Sequence, residues 1–72
     1  MGLFNRDSSP KMLAQMRDDE AKAAEDSRKR AAQVEAIGQP VYGIDAEGWR
    51  QRAETFQEAA DGYQQQIDRR SR

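Results

Sequence analysis

The chain has 72 residues, net charge −1 and no cysteine or histidine. That length holds one domain at most. The missing residue types exclude disulfides, thiolate chemistry, imidazole general bases and His- or Cys-ligated metal sites. The 36% hydrophobic share is carried by eleven alanines, and only nine residues are Leu, Ile, Val or Phe. A chain this short buries only about 60% of its unfolded surface. With so few large apolar residues, association is the expected route to stability. Charges of both signs are interleaved, which suits solvated helix faces better than a self-repelling coil. No apolar run reaches the roughly 18 residues of a membrane span and no signal-peptide core follows the start, so a cytoplasmic protein is expected. Arginine outnumbers lysine nine to three and alanine is abundant, a composition that suggests a GC-rich bacterial or phage genome.

Residues 1–8 read as a flexible arm with Leu3 and Phe4 as its apolar anchors. Gly2 does not open a myristoylation motif, because Arg6 stands where Ser or Thr is required. Residues 9–72 form the single domain. Ser9 followed by Pro10 is a helix start: serine caps free N–H groups, and proline fits the first helical position. No breaker follows before Gly38. Leu13, Met16, Ala23, Ala24, Ser27, Ala31 and Val34 fall on one face, flanked by Met12 and Ile37 and interrupted by Glu20. Asp18–Lys22, Glu25–Lys29 and Asp26–Arg30 are spaced to support the helix. Arg28, Lys29 and Arg30 suit the negative end of its dipole. Gly38-Gln39-Pro40 then stops it.

The connection Val41-Tyr42-Gly43-Ile44 puts three large apolar residues where polar turn residues would suffice. They are expected either to plug the end of the fold onto Ile37 and Trp49 or to form a contact tip for another protein. Asp45 caps the second helix. Gly48 costs that helix about 1 kcal/mol relative to alanine and leaves room for a close neighbour. Trp49, Ala53, Phe56, Ala60, Tyr63 and Ile67 are separated by alternating steps of four and three, a heptad seam with Phe56 expected buried at its centre. Arg69, Arg70 and Arg72 close the chain.

The expected fold is all-α: an antiparallel two-helix hairpin of about 10–37 and 45–70, dimerising into a four-helix bundle. Packing or interface residues are Trp49, Ala53, Phe56, Ala60, Tyr63, Ile67, Leu13, Met16 and Val34, with Val41, Tyr42 and Ile44 as candidate partner contacts. Asp18-Asp19-Glu20 diverge around a helix, and Asp45-Ala46-Glu47-Gly48 is too short for a calcium loop. No catalytic, cofactor, small-molecule or metal site is expected. The function expected is therefore that of a small non-enzymatic protein–protein interaction or assembly module acting with itself or another protein as adaptor, regulator or accessory subunit. An alternative is a nucleic-acid-binding regulator using Arg28, Lys29, Arg30 and the C-terminal arginines, although the sequence pI near 5.3 is low for one.

Trp49, at the start of the second helix, is similar in setting to the tryptophan of the small secreted WXG-type helical hairpins, which carry Trp-X-Gly between two helices. Gln51 stands where that glycine belongs, Gly48 precedes the tryptophan, and Ile67 follows Tyr63 where their C-terminal signal has an acid. The likeness is confined to Trp49 and its setting. A WXG-like secreted hairpin is the second alternative it implies.

Overall fold

A computed structural model describes residues 9–70 as two helices, α1 (Pro10–Ile37) and α2 (Ala46–Arg70), packed antiparallel with no named strand among the described residues. The arm 1–8, with Leu3 and Phe4, and Arg72 lie outside the described residues.

The helix ends follow from local chemistry. The Ser9 hydroxyl accepts from the Met12 N–H at 3.1 Å, and Pro10 takes the first helical position. Gly38 closes α1 at φ 73°, donating its N–H to the Val34 carbonyl at 2.8 Å. Glycine takes this left-handed conformation without a Cβ penalty. The Asp45 carboxylate accepts from the Gly48 N–H at 2.8 Å and caps α2. Two electrostatic expectations are corrected. The last turn of α1 holds no basic side chain: the helix runs to Ile37, well past Arg28, Lys29 and Arg30, and dipole complementation fades within one turn. The three helical ion pairs expected at i, i+4 are also not formed. Among the described residues the ion pairs are Arg17–Asp18 at 2.8 Å and Arg50–Glu35. Exposed pairs gain too little Coulomb energy to hold two long side chains together.

The core is a narrow line between the helices. Leu13, Ala24, Ser27, Ala31 and Val34 of α1 are buried, facing Trp49, Ala53 and Ala60 of α2. Leu13 near the open end and Trp49 near the turn are its two largest members, and small residues between them let the axes approach closely. Met12 and Ile37 flank the stripe and remain more than half exposed, at 54% and 55%.

Phe56 is not buried as expected; it and Tyr63 are half-buried, whereas Trp49 is buried. The cause is the mismatch between the heptad and the straight α-helix, which rotates each successive seam residue by about 20°. Trp49, Phe56 and Tyr63 therefore turn progressively out of the interhelical line. Ala53 and Ala60 cross the middle of it and stay buried.

Gly48 has a packing role. A Cβ there would meet Cγ2 of Ile44 at 2.7 Å and Oδ1 of Asp45 at 3.3 Å. Gly62, also inside α2, would meet nothing within 4 Å. Gly62→Ala is expected to stabilise the protein by about 0.5–1 kcal/mol through helix propensity. Gly48→Ala should destabilise it, because the branched carbon of Ile44 has little freedom to retreat. Urea unfolding of both variants checks this, and equal stabilisation would show that the Ile44 contact is easily relieved.

Candidate functional site

The chain is only 14 Å deep in its thinnest dimension, so the hairpin is one helix layer thick. Each helix is covered on one side by the other, and two broad faces remain. Successive residues step about 100° around a helix, which assigns the flanking residues to one face or the other.

One face is laced with polar contacts. Arg17 Nη1 donates to Gln64 Oε1 at 2.8 Å, Arg28 Nη2 donates to Gln57 Oε1 at 2.8 Å, and Arg50 pairs with Glu35. On α2 the lacing positions Arg50, Gln57 and Gln64 recur every seven residues beside the seam. Gln57 Nε2 and Gln64 Nε2 also donate along the helix to Asp61 and Asp68, at 3.1 and 2.9 Å. This line was not read from the sequence. The signal was the period shared by Arg50, Gln57 and Gln64, visible once the seam is drawn. A groove beside it is lined by Arg28, Ala32, Glu35, Arg50, Glu54 and Gln57 among others.

The opposite face carries no side-chain hydrogen bond between the helices among the described residues. It bears Met12, Met16, Ala23 and Ile37 from α1 and Phe56, Ala59 and Tyr63 from α2, with half-buried Glu20 among them and Arg30 and Arg52 at its turn end. Met16, Ala23, Phe56, Ala59 and Tyr63 are half-buried, so each is partly covered by its neighbour helix and partly open. Ile67, also half-buried, closes the seam near the open end.

The turn is more ordered than a plain loop. Val41 and Ile44 exchange both backbone hydrogen bonds at 3.0 Å around Tyr42-Gly43, whose φ values are 54° and 73°. Positive φ at both central residues is the mark of a type I′ turn, where Asn-Gly is favoured. Val41 and Ile44 pack against the cluster of Ala31, Val34 and Trp49, and Trp49 Nε1 donates to the Val41 carbonyl at 3.2 Å. Tyr42 is 79% exposed. The three residues therefore divide: two lie over the end of the core and Tyr42 projects from it.

The Arg30 guanidinium lies 5.1 Å from the Tyr42 ring centre. Arg30 and Arg52 also approach the Trp49 ring, at 5.4 and 5.6 Å. Tyr42→Asn exchanges a residue strained at positive φ for one that tolerates it. It loses a cation–π contact worth about 0.5–1 kcal/mol at an exposed site. The two effects oppose, and a net change within about 1 kcal/mol is expected from thermal melts. A drop of several kcal/mol would make Tyr42 a structural residue.

Arg28, Lys29 and Arg30 do not converge. Arg28 is held on the laced face by Gln57, Arg30 turns to the opposite face over Tyr42 and Trp49, and Lys29 is exposed between them. Arg69 and Arg70 lie at the other end of the hairpin. Among the described residues no three acidic side chains gather as a metal site requires, and no helix is long and apolar enough to cross a membrane. Comparisons with protein-family models, with curated proteins and with solved structures find no match for this chain.

Proposed function

We propose that this chain is a small non-enzymatic assembly module of the cytoplasm. Its hairpin pairs with a second copy through the unlaced face to form a four-helix bundle, leaving Tyr42 at the tip available to another protein. The observation that carries the reading is the contrast between the two faces. One has its polar side chains engaged with each other across the hairpin. The other presents half-buried Phe56, Tyr63 and Met16 with exposed Met12 and Ile37 beside them. A face some 42 Å long and two helices wide offers about 800 Å² per partner, the size of a standard specific interface. Burial of that apolar surface supplies what a two-helix core built mainly on alanine lacks.

Sedimentation velocity at tens of micromolar should give twice the 8.2 kDa chain mass. A well-folded monomer across that range would overturn the reading. The nucleic-acid alternative draws on the exposed Tyr42 beside Arg30, since an aromatic ring and a guanidinium together can stack on a base. It is the weaker reading because Arg28 and Arg30 point to different faces and Arg69 and Arg70 lie at the other end of the hairpin. Salt-dependent binding of labelled mixed-sequence DNA or RNA, lost in Tyr42→Ser, would favour it instead.

A further inference from the structure

We infer that the turn end of the hairpin is a receptor for an acidic segment of another protein. Arg30 and Arg52 take one or two carboxylates of that segment, and Tyr42 and Ile37 take an apolar side chain beside them. The inference rests on the reading that Tyr42 is available to another protein, and it names the chemistry of that partner. It does not depend on the second copy.

The arginines differ in what holds them. Arg17 donates to Asp18 and Gln64, Arg28 to Gln57 and Arg50 to Glu35. Arg30 and Arg52 donate to no side chain or carbonyl among the described residues. Both lie against the Trp49 ring, at 5.4 and 5.6 Å, and Arg30 also lies 5.1 Å from the Tyr42 ring. Two guanidinium groups, one from each helix, therefore gather at a single ring. Asp26 stands one helical turn before Arg30 and forms no ion pair with it; Arg30 extends toward the turn instead. An aromatic face holds a guanidinium through its quadrupole and takes up none of its in-plane N–H groups. That fork of donors remains for an oxyanion, and its planar spacing matches a carboxylate.

Tyr42 and Ile37 supply the apolar half. Tyr42 holds a type I′ position at φ 54°, where tyrosine is strained and asparagine or glycine is not. Its side chain gains no burial in return, being 79% exposed. Backbone strain without packing points to a role for the ring outside its own chain. Ile37, 55% exposed, follows Arg30 by about two helical turns and so lies on the same side of α1. An exposed aromatic ring, an exposed aliphatic side chain and two unengaged guanidinium groups share one end of the hairpin.

Charge balance separates a carboxylate-bearing segment from a polyanion. A nucleic acid responds to charge summed over about a Debye length, about 8–10 Å. From Lys29 to Glu54 the sequence holds four basic and four acidic side chains, so the turn end sums to zero and offers a polyphosphate no attractive field. A single carboxylate reads the groups it touches, where a charge-assisted hydrogen bond outweighs the screened potential of acids farther off. Asp45, the acid of the turn itself, is engaged as the cap of α2. Ile37 favours the same choice, since an aliphatic side chain has no counterpart in a phosphate chain.

A random peptide library displayed on phage, panned against the full chain and in parallel against Tyr42→Ser, tests the site. Peptides recovered by the wild type and lost on Tyr42→Ser should carry Asp or Glu beside a bulky apolar residue. In fluorescence anisotropy with one such labelled peptide, Arg30→Gln and Arg52→Gln should each raise Kd about tenfold, the worth of one charged hydrogen bond. Arg30→Lys keeps a cation over both rings, and with it the fold, yet should still weaken binding because an ammonium lacks the planar fork. Lys29→Gln, pointing elsewhere around α1, should leave Kd unchanged. Unchanged affinity in all three arginine variants would reject the receptor. Peptides that depend on Tyr42 but carry no acid would also reject it, while leaving the tip a contact for another protein. Recovery of no peptide sensitive to Tyr42→Ser would overturn both. Labelled mixed-sequence single-stranded DNA that binds more tightly than the peptide, and is released by the same variants, would assign the site to nucleic acid instead.

Discussion

Trp49→Ala is expected to unfold the protein or leave it marginally folded, with a loss of about 3–5 kcal/mol. The total stability of a small domain is often no more than about 5 kcal/mol. Three effects act together. Trp49 is 8% exposed and supplies most of the apolar volume in its cluster, with only Ala31 and Val34 as buried partners. Its Nε1 is a second donor to the Val41 carbonyl beside the Ile44 N–H, so truncation also removes a tie between α2 and the turn. Arg30 and Arg52 lose the ring on which they stack. Trp49→Phe separates these contributions. It keeps most of the packing and removes one of the two donors to the Val41 carbonyl, which still accepts from the Ile44 N–H, so only the net worth of one hydrogen bond, about 0.5–1.5 kcal/mol, is lost with the donor. Urea unfolding followed by far-UV circular dichroism should rank wild type above Trp49→Phe and Trp49→Phe above Trp49→Ala. If Trp49→Ala melts with wild type, the cluster at the turn does not hold the hairpin shut.

Leu13→Ala is the second large effect, expected at about 2–5 kcal/mol. Leu13 is 1% exposed and is the largest fully buried side chain. It sits in the first turns of α1, at the end of the hairpin where no covalent connection joins the helices. Between it and the Trp49 cluster the buried residues of α1 are alanine and serine, which contribute little apolar area each. Its loss should therefore release the open end while the turn end stays formed. Hydrogen exchange resolves the difference: Leu13→Ala should accelerate amides of the first turns of α1 and the last turns of α2, and Trp49→Ala those flanking the turn. Lys11→Ala, at an exposed position, should change stability by less than about 0.5 kcal/mol. Uniform acceleration in both core variants would mean that the hairpin opens as one cooperative unit.

Much of the architecture was legible because it is written in local chemistry. Ser9-Pro10, Gly38 and Asp45 act on backbone groups within four residues of themselves, so the helix limits read from them lie within a residue of those observed. The alternation of fours and threes from Trp49 to Ile67 identified the inward side of α2 for the same reason. The depth of each residue was not legible. Phe56 and Trp49 share a heptad position, yet one is half-buried and the other buried, because the α-helix drifts about 20° per heptad and the partner helix covers only one side of the drifting seam.

The turn shows a similar division. Three large residues in sequence marked it as more than a spacer. Which of them turn inward depends on the I′ geometry, in which Val41 and Ile44 pair and Tyr42 is carried outward. Arg28-Lys29-Arg30 is a cluster along the chain and a dispersed set in space, since each step around the helix sends the next side chain in a new direction.

By itself the sequence determined that this protein is a pair of helices of given limits, without the imidazole or thiolate groups that most protein metal sites and many active sites use. Those properties depend on residue type and on neighbours a few positions away. The tertiary structure decided which face of the pair is laced by polar contacts and which carries half-buried Met16, Phe56 and Tyr63 without such contacts among the described residues. That distinction depends on the rotation of each helix about its own axis. Rotation is set by the joint packing of Leu13, Ala24, Ala31, Trp49, Ala53 and Ala60, and no local stretch of chain encodes it.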